Sequence, residues 1–139
     1  MKLFDLLKRP GELLTPVVHD ALSAKIAKNL GFEAISVGGF AISGTNYGLP
    51  DVGLIGLAEL LSAIKNIKTT VDLPIFADAD GGYGNERNVN HTVSQLIKAG
   101  VDGCFLEDQK HPKRCGHMPG KELIPVDEMV AKLKAVNLP

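Results

Sequence analysis

Short apolar runs alternate along the chain with longer stretches in which apolar residues recur every three or four positions. The short runs predict buried β-strands, and the longer stretches predict helices with one apolar face. This alternation is typical of repeated βα units around a parallel sheet. The predicted strands cover residues 13–19, 34–37, 74–78 and 102–107.

A helix is predicted after each strand, and cap residues mark several of the helix ends. Asp20 is a suitable N-cap for the first helix, Gly31 and Gly100 end the first and third, and Pro125 begins the last. Residues 38–51 predict a glycine-rich loop before the second helix. The apolar stripes of the four helices comprise Leu22, Ile26, Ala27 and Leu30; Leu57, Leu60, Leu61, Ile64 and Ile67; Val89, Val93, Leu96 and Ile97; and Met129, Val130 and Leu133.

Four βα units fit two architectures: an open doubly wound sheet, or half of an eight-stranded β/α barrel. Hydrophobic periodicity does not separate them. Both architectures place their chemistry beyond the carboxyl ends of the strands, so functional residues are expected in the connecting loops. The loops at those ends, residues 38–51, 78–87 and 107–121, are rich in polar residues.

Composition indicates one globular domain and excludes several classes of partner. The chain has 139 residues, 45% of them hydrophobic, and its net charge is -1. Without a basic run, nucleic acid is not an expected partner. No apolar stretch reaches the roughly 20 residues that span a bilayer, and Asp5 lies where a signal peptide would be apolar, so we expect a cytoplasmic protein without membrane contact.

Asp78 and Asp80 are the first candidates for chemistry. Alternate residues of a strand share a face, so these two carboxylates are predicted to project together, roughly 7 Å apart. Their repulsion favours a hard cation such as Mg²⁺, which prefers oxygen ligands and keeps bound waters. Glu107, at the end of the next strand, is a candidate third ligand. The alternative is that Asp80 opens a turn and Asp78 is a solvated strand end, since Asp-rich turns are common.

The segment that contains Cys115 is the second candidate. Its thiol follows two cations, Lys113 and Arg114, and precedes His117 by two positions, which favours thiolate and makes proton transfer feasible near neutral pH. The alternative is a loop cysteine without a role. Cys104 lies in a predicted buried strand and is expected to serve packing. A zinc site built from Cys104, Cys115 and the histidines His111 and His117 is conceivable, although paired ligand spacing is missing.

Two glycines after the second strand, Gly38 and Gly39, permit close backbone approach and could offer N–H groups to an anion. A simple turn is the alternative. The glycines of residues 81–84 lack the spacing of a dinucleotide fingerprint, so a nicotinamide or flavin cofactor is not indicated.

Taken together, the loops resemble the isocitrate lyase and phosphoenolpyruvate mutase superfamily, closest to its methylisocitrate-lyase-like branch. The segment around Cys115 is the most specific match, because the phosphonate-forming mutases lack that cysteine. The resemblance covers nearly the whole chain. It rests on Asp20-Ala21-Leu22-Ser23-Ala24, Gly48-Leu49-Pro50-Asp51, Asp78-Ala79-Asp80, Gly82-Tyr83-Gly84-Asn85, Glu107-Asp108-Gln109, Lys113-Arg114-Cys115-Gly116-His117 and Gly120-Lys121-Glu122-Leu123.

The resemblance implies an eight-stranded β/α barrel and a lyase that uses Mg²⁺ to hold a small 2-hydroxy or 2-oxo carboxylate while a carbon-carbon bond breaks. Asp78, Asp80 and Glu107 would bind or orient the metal, directly or through water, with Asp51 in a supporting position. The metal would stabilise the oxyanion that develops on cleavage.

The resemblance also implies substrate-contacting roles. Cys115 would protonate the carbanionic product, while Arg114 and His117 would bind carboxylates or tune that thiol. The N–H groups of two glycines would hold another carboxylate, and a lysine and the first aspartate would also contact the substrate. The members of this substrate-binding set are Gly38, Gly39, Lys113 and Asp78.

Some positions depart from the branch. Val37 precedes the glycine pair where methylisocitrate-type enzymes usually have serine, Phe105 stands where a polar residue is common, and Gly81 replaces a usual Thr or Ser. A complete barrel needs about 250 residues. Residues 1–139 are therefore predicted to form a partial barrel domain whose C-terminal half is absent.

Two other functions stay open at this point. One is a phosphonopyruvate mutase or hydrolase, against which Cys115 argues. The other is a non-catalytic half-barrel binding module. The unpaired strand edges of a half-barrel further predict that copies of the chain associate with one another as a homo-oligomer.

Overall fold

In the computed structural model, residues 3–136 are described, and they form an α/β fold. The elements in chain order are α1 (Leu3–Leu7), β1 (Val17–Val18), α2 (Ala21–Asn29), β2 (Ile35–Val37), α3 (Gly39–Ile42), a π-helix (Ser43–Tyr47), α4 (Leu57–Lys68), β3 (Ile75–Asp78), α5 (Glu86–Lys98), β4 (Gly103–Phe105) and α6 (Val126–Lys134).

The four strands form one parallel sheet in the order β1-β2-β3-β4. Val37 of β2 lies beside Ala77 of β3, which lies beside Cys104 of β4. Strand order follows chain order without the reversal that marks a doubly wound sheet, as it does around a β/α barrel. The predicted parallel βα architecture is confirmed, and the sequential order favours the half-barrel over the doubly wound alternative.

The core lies between the sheet and helices α2, α4 and α5. Ile35 and Ile75 of the sheet are fully buried, as are Ile64 of α4 and Val89 of α5. The predicted stripe of α4 is largely confirmed, and that of α5 is confirmed except at Ile97, which is exposed. Within residues 3–136, no helix is long and apolar enough to cross a membrane.

The predicted packing face of α2 is confirmed only at Ala27 and is wrong at Leu22, Ile26 and Leu30. Its helix is capped as expected, because the Asp20 side chain accepts a 2.7 Å hydrogen bond from the Ser23 amide. The face that packs consists of Ala24 and Ala27, whereas Leu22 and Leu30 are 66% and 72% exposed. Small side chains let a helix approach its neighbours closely, and the large residues then point away. This leaves Leu22, Ile26 and Leu30 as an exposed apolar stripe on α2.

Helix α6 departs from its predicted pattern in the same way. It begins after Pro125 as expected, yet Val130 and Leu133 are exposed and Lys132 is buried. The side chain of Asn90 on α5 donates to the carbonyl of Ala135 at 2.5 Å and joins the two helices. Polar contacts, rather than burial of Val130 and Leu133, therefore accompany the packing of α6.

Two helical segments were not predicted. Residues 38–51 contain α3 and the π-helix rather than a continuous loop, because Ile42 and Ser43 are buried and draw this segment onto the core. At the other end, Leu3 and Leu6 of α1 are buried against Ala34. All three helices (α1, α3 and the π-helix) are short, so their apolar periodicity is too brief to stand out in the sequence.

Candidate metal and substrate site

Acidic side chains from separate loops converge beyond the carboxyl ends of β3 and β4. Asp78 ends β3, Asp80 lies two residues later, Glu107 follows β4, and Asp51 comes from the segment before α4. Lys113, from the loop after β4, contacts two of them. Parallel strands end at the same edge of a sheet, which explains why these distant segments meet.

Lys113 forms a buried double ion pair. Its Nζ lies 2.8 Å from Asp51 Oδ1 and also contacts Asp80 Oδ1. The three side chains are at most 9% exposed. Although burial alone lowers it, the pKa of Lys113 is raised overall by the hydrogen bonds to both carboxylates, so the ammonium stays charged.

Asp78 lies at the end of β3 and is partly buried. Its Oδ1 accepts a 2.9 Å hydrogen bond from the amide of Asp80. Burial raises the pKa of the Asp78 carboxyl, with a smaller contribution from the charge on Asp80. Ionised Asp78 is thus short of compensating charge in this environment.

The prediction that Asp80 continues the strand beside Asp78 is wrong. β3 ends at Asp78, and Asp80 has a φ of 46°, in the left-handed region. The chain turns there, and the amide of Gly82 donates to the carbonyl of Ala79 at 2.9 Å. Asp80 therefore opens a turn, as the alternative held, and its side chain is buried against Lys113. Asp78, which the alternative took as a solvated strand end, is partly buried.

Asp51, Asp78, Asp80 and Glu107 together form the carboxylate cluster. Glu107 joins it through its backbone and its charge. Its amide donates to the Asp80 carbonyl at 2.8 Å, and its Oε2 accepts a 3.0 Å hydrogen bond from Gln109 Nε2. Burial raises the pKa of Glu107; the charge of Lys113 lowers it, and those of Asp78 and Asp80 raise it further. Two carboxyls of the cluster therefore favour a proton or an added cation.

No three His, Cys, Asp or Glu side chains within residues 3–136 are close enough to form a complete metal-ligand set. The conceivable zinc centre of Cys104, His111, Cys115 and His117 is thus not formed. Mg²⁺ has different needs, because it keeps several waters and binds proteins through one or two carboxylates. The excess of oxygen donors and the raised pKa values of Asp78 and Glu107 fit such a partly hydrated ion.

Within the segment around Cys115, Lys113 makes the contact to the carboxylates. Cys115 is partly buried, and Arg114 and His117 are exposed. Gln109 holds the backbone of Arg114, accepting from its amide at 3.2 Å and donating to its carbonyl at 3.1 Å. The imidazole of His117 meets the ring of Phe40 edge-on, with centroids 6.3 Å apart.

Gly39 places backbone directly against the cluster. It is the first residue of α3, where an amide has no acceptor within the helix. A β-carbon at Gly39 would lie 3.7 Å from both carboxylate oxygens of Asp80 and 3.9 Å from Lys113 Nζ. Gly38 precedes it as the N-cap, with an extended backbone that any residue can adopt.

A cavity of about 520 Å³ opens beside the cluster. Its walls include Asp80 and Lys113 together with Tyr83, His111 and Lys132. Burial raises the pKa of Tyr83, so its phenol stays protonated at neutral pH. The sequence pattern assigned no site role to Tyr83, Gln109 or Lys132. Gln109 could have been identified as a site residue from its position two residues after Glu107. Nothing in the sequence points to Lys132, because lysine on a helix is usually solvated.

The chain is similar to proteins of one enzyme family. Residues 3–138 match the family model of phosphoenolpyruvate phosphomutase. The chain is 45% identical over 133 residues to a chloroplastic carboxyvinyl-carboxyphosphonate phosphorylmutase of Arabidopsis thaliana, covering 95% of this chain and 39% of that protein. It is 42% identical over 134 residues to 2,3-dimethylmalate lyase of Eubacterium barkeri, covering 96% and 46%. It is also 40% identical over 132 residues to 2-methylisocitrate lyase of Bacillus subtilis, covering 95% and 44%.

Solved structures show the same similarity. Oxaloacetate acetylhydrolase in complex with 3,3-difluorooxalacetate superposes with a TM-score of 0.92 at 35% identity, over 96% of this chain and 46% of that one. Phosphonopyruvate hydrolase in complex with oxalate and Mg²⁺ superposes with a TM-score of 0.74 at 32% identity, over 87% and 41%. The chain thus spans less than half the length of each of these proteins.

Proposed function

Since the chain belongs to the phosphoenolpyruvate phosphomutase family, we propose that it supplies the first four βα units of a Mg²⁺-dependent carbon-carbon lyase. The substrates would be small 2-hydroxy or 2-oxo carboxylic acids. The observation that carries the proposal is the convergence of Asp78 and Glu107, both with raised pKa values, beside the Lys113 ion pairs. Such a site gains from an added divalent cation.

The carboxylates Asp78, Asp80 and Glu107 would hold the metal, directly or through water, and Asp51 would support them. Bound Mg²⁺ supplies electrostatic stabilisation of the oxyanion that develops as the carbon-carbon bond breaks. The contact of Lys113 with Asp51 and Asp80 fixes those two carboxylates in place. Lys113 also places a permanent positive charge on the cavity wall, where a substrate carboxylate would be attracted to it.

The remaining residues would handle the substrate. Cys115 would deliver a proton to the carbanionic product, and Arg114 and His117 would bind carboxylates or tune the thiol. The amides of Gly38 and Gly39 would receive another carboxylate, which the closeness of Gly39 to Asp80 and Lys113 supports. Val37 presents no hydroxyl beside these glycines, so the substrate need not match that of methylisocitrate-type enzymes.

A phosphonopyruvate mutase or hydrolase is the second candidate. It is favoured by the 45% identity to a phosphorylmutase and by the likeness to phosphonopyruvate hydrolase. The lyase has the support of the identities to 2,3-dimethylmalate lyase and 2-methylisocitrate lyase and of Cys115.

The cytoplasmic location stays a prediction, and one plant relative is described as chloroplastic.

The test of the lyase is turnover by the protein. Cleavage of 2-methylisocitrate, 2,3-dimethylmalate, oxaloacetate and phosphonopyruvate would be measured with Mg²⁺ present. Losing a general acid costs on the order of 100-fold or more in rate, so Cys115→Ser should lower kcat by that amount. Cys104→Ser, in β4, is the matched control and should keep most of the activity.

Carbon-carbon cleavage at the wild-type rate by Cys115→Ser would contradict the proposed proton donor. Turnover of phosphonopyruvate alone would favour the second candidate. A protein that turns over none of these acids and binds no Mg²⁺ would instead be a non-catalytic binding module.

A further inference from the structure

Helix α6 turns a lysine rather than its apolar residues toward the protein interior. Lys132 is 6% exposed, although Val130 and Leu133 of the same helix are exposed. Taking an ammonium out of water costs free energy unless polar groups replace its hydration. The burial of Lys132 therefore has to be compensated by what the ammonium contacts.

The ammonium of Lys132 reaches the turn that follows β3. Its Nζ donates to the carbonyl of Gly81 at 3.2 Å, and Glu128 Oε1, one helical turn earlier, lies 3.9 Å away. Gly81 is the residue directly after Asp80. A cation of α6 thus holds the backbone next to the buried carboxylate that pairs with Lys113.

The turn needs such support, because its backbone is unusual. Asp80 and Tyr83 have φ values of 46° and 61°, and Gly82 and Gly84 have 81° and 150°. Residues with a β-carbon rarely adopt positive φ, and they keep it only where surrounding contacts impose it. The two glycines adopt positive φ without steric cost, so Asp80 and Tyr83 are the residues whose backbone depends on support from neighbouring contacts.

Three successive carbonyls of the turn are each held by a different part of the chain. The Asp80 carbonyl accepts from the Glu107 amide at 2.8 Å, and the Gly82 carbonyl accepts from Thr92 Oγ1 of α5 at 3.1 Å. Lys132 of α6 holds the carbonyl between them. Each contact fixes one peptide, so loss of the Lys132 contact would release the middle one.

We propose that Lys132 is a positioning residue for the carboxylate cluster. By holding the Gly81 carbonyl it fixes the turn at Asp80, whose amide in turn orients the Asp78 carboxylate through their 2.9 Å hydrogen bond. The effect on the turn is independent of the metal. The effect on Mg²⁺ affinity rests on the proposed function.

Hydrogen exchange of the metal-free protein tests the effect on the turn. The Gly82 and Glu107 amides, both hydrogen-bonded within this region, report its opening. Lys132→Met should speed their exchange by about tenfold, since a hydrogen bond to a charged group is lost. Lys132→Arg should stay near wild type, as should Lys134→Met, the control on the same helix. Amides of Ile35 and Ser36 in β2 should not change.

Unchanged exchange at Gly82 and Glu107, or an equal rise at Ile35 and Ser36, would overturn the proposal, because either result means that the turn is not selectively held.

Titration of Mg²⁺ in the presence of oxalate tests the effect of Lys132 on Mg²⁺ affinity. Lys132→Met should bind Mg²⁺ about tenfold more weakly, as when other supporting contacts of metal ligands are removed. Wild-type affinity despite a loosened turn would overturn the positioning role. If the wild-type protein binds no Mg²⁺, the proposed function fails, and hydrogen exchange still decides whether Lys132 holds the turn.

Discussion

Negative charges outnumber positive charges in the carboxylate cluster at the carboxyl ends of β3 and β4. Four carboxylates, those of Asp51, Asp78, Asp80 and Glu107, interact with the ammonium of Lys113. The cation contacts Asp51 and Asp80 directly, and the other two carboxyls respond with raised pKa values. A raised pKa means that the folded protein resists ionising these groups, so their charge destabilises the metal-free fold at neutral pH.

Replacement of Lys113 should expose this imbalance. Lys113→Met leaves two carboxylates buried without their cation, which typically costs about 3–5 kcal/mol of unfolding free energy. Urea unfolding at pH 7 measures the loss. The hydrogen bonds to Asp51 and Asp80 raise the pKa of Lys113 above its ordinary value of 10.5, so the ammonium is charged at pH 7 and its contribution to stability is lost as pH rises through that higher pKa.

Lys110→Met is the matched control, because Lys110 forms an exposed ion pair with Glu122. Surface pairs contribute less than about 1 kcal/mol. Equal losses for the two variants at pH 7 would contradict a buried ionic anchor.

Several of these residues could be predicted from sequence, and others could not. Strand ends bring Asp78 and Glu107 to one edge of a parallel sheet, which a strand assignment alone anticipates. The pairing of Lys113 with Asp51 depends on how two long connections fold over that edge, and no local pattern encodes it. Burial of Lys132 is equally invisible, since its neighbours on α6 follow an ordinary amphipathic pattern.

Elements were predictable where periodicity is long or where caps are specific. Helices α4 and α5 span three turns or more, and their buried stripes follow the sequence pattern. Helix α2 was placed correctly by Asp20, but of its predicted stripe only Ala27 is buried, because the close-packed side of the helix is built from alanines. Hydrophobicity ranks leucine above alanine, whereas close helix packing favours the smaller residue.

The exposed stripe of α2, formed by Leu22, Ile26 and Leu30, predicts self-association. Among residues 3–136, β1 and β4 each pair on one side only, so their outer edges can also accept a strand. We expect the 139-residue chain to form homo-oligomers through these surfaces, with a sedimentation coefficient that rises with concentration.

Ile26→Gln should weaken this association while leaving the urea midpoint of the chain nearly unchanged, since Ile26 is half exposed and outside the core. Lys25→Gln, one position away on the exposed side of α2, is the control. A monomeric wild type at all concentrations, or equal association of Ile26→Gln and wild type, would contradict the prediction.

On the scale of the whole molecule, the described residues 3–136 present four βα units with sequential strand order. Hydrophobic periodicity alone did not separate the doubly wound and barrel alternatives, because it reports burial within each element and not the order of strands in space; the family resemblance predicted the barrel. The solved relatives carry the same units within chains more than twice as long. The carboxyl ends of the strands in residues 3–136 carry the carboxylate cluster, Gly39 and the segment around Cys115.

Calorimetric titration of the chain with Mg²⁺ in the presence of oxalate tests the central claim most directly. We predict a saturable signal for the wild type that Asp78→Ala abolishes and that Asp108→Asn, a control on the neighbouring exposed carboxylate, retains. The Mg²⁺ affinity should fall as pH is lowered, because protons compete with the metal for Asp78 and Glu107. The fall should begin at a pH above the ordinary carboxyl range, since burial raises the pKa values of both groups. Absence of a saturable signal, or equal binding by Asp78→Ala and wild type, would contradict a Mg²⁺ site at the end of β3.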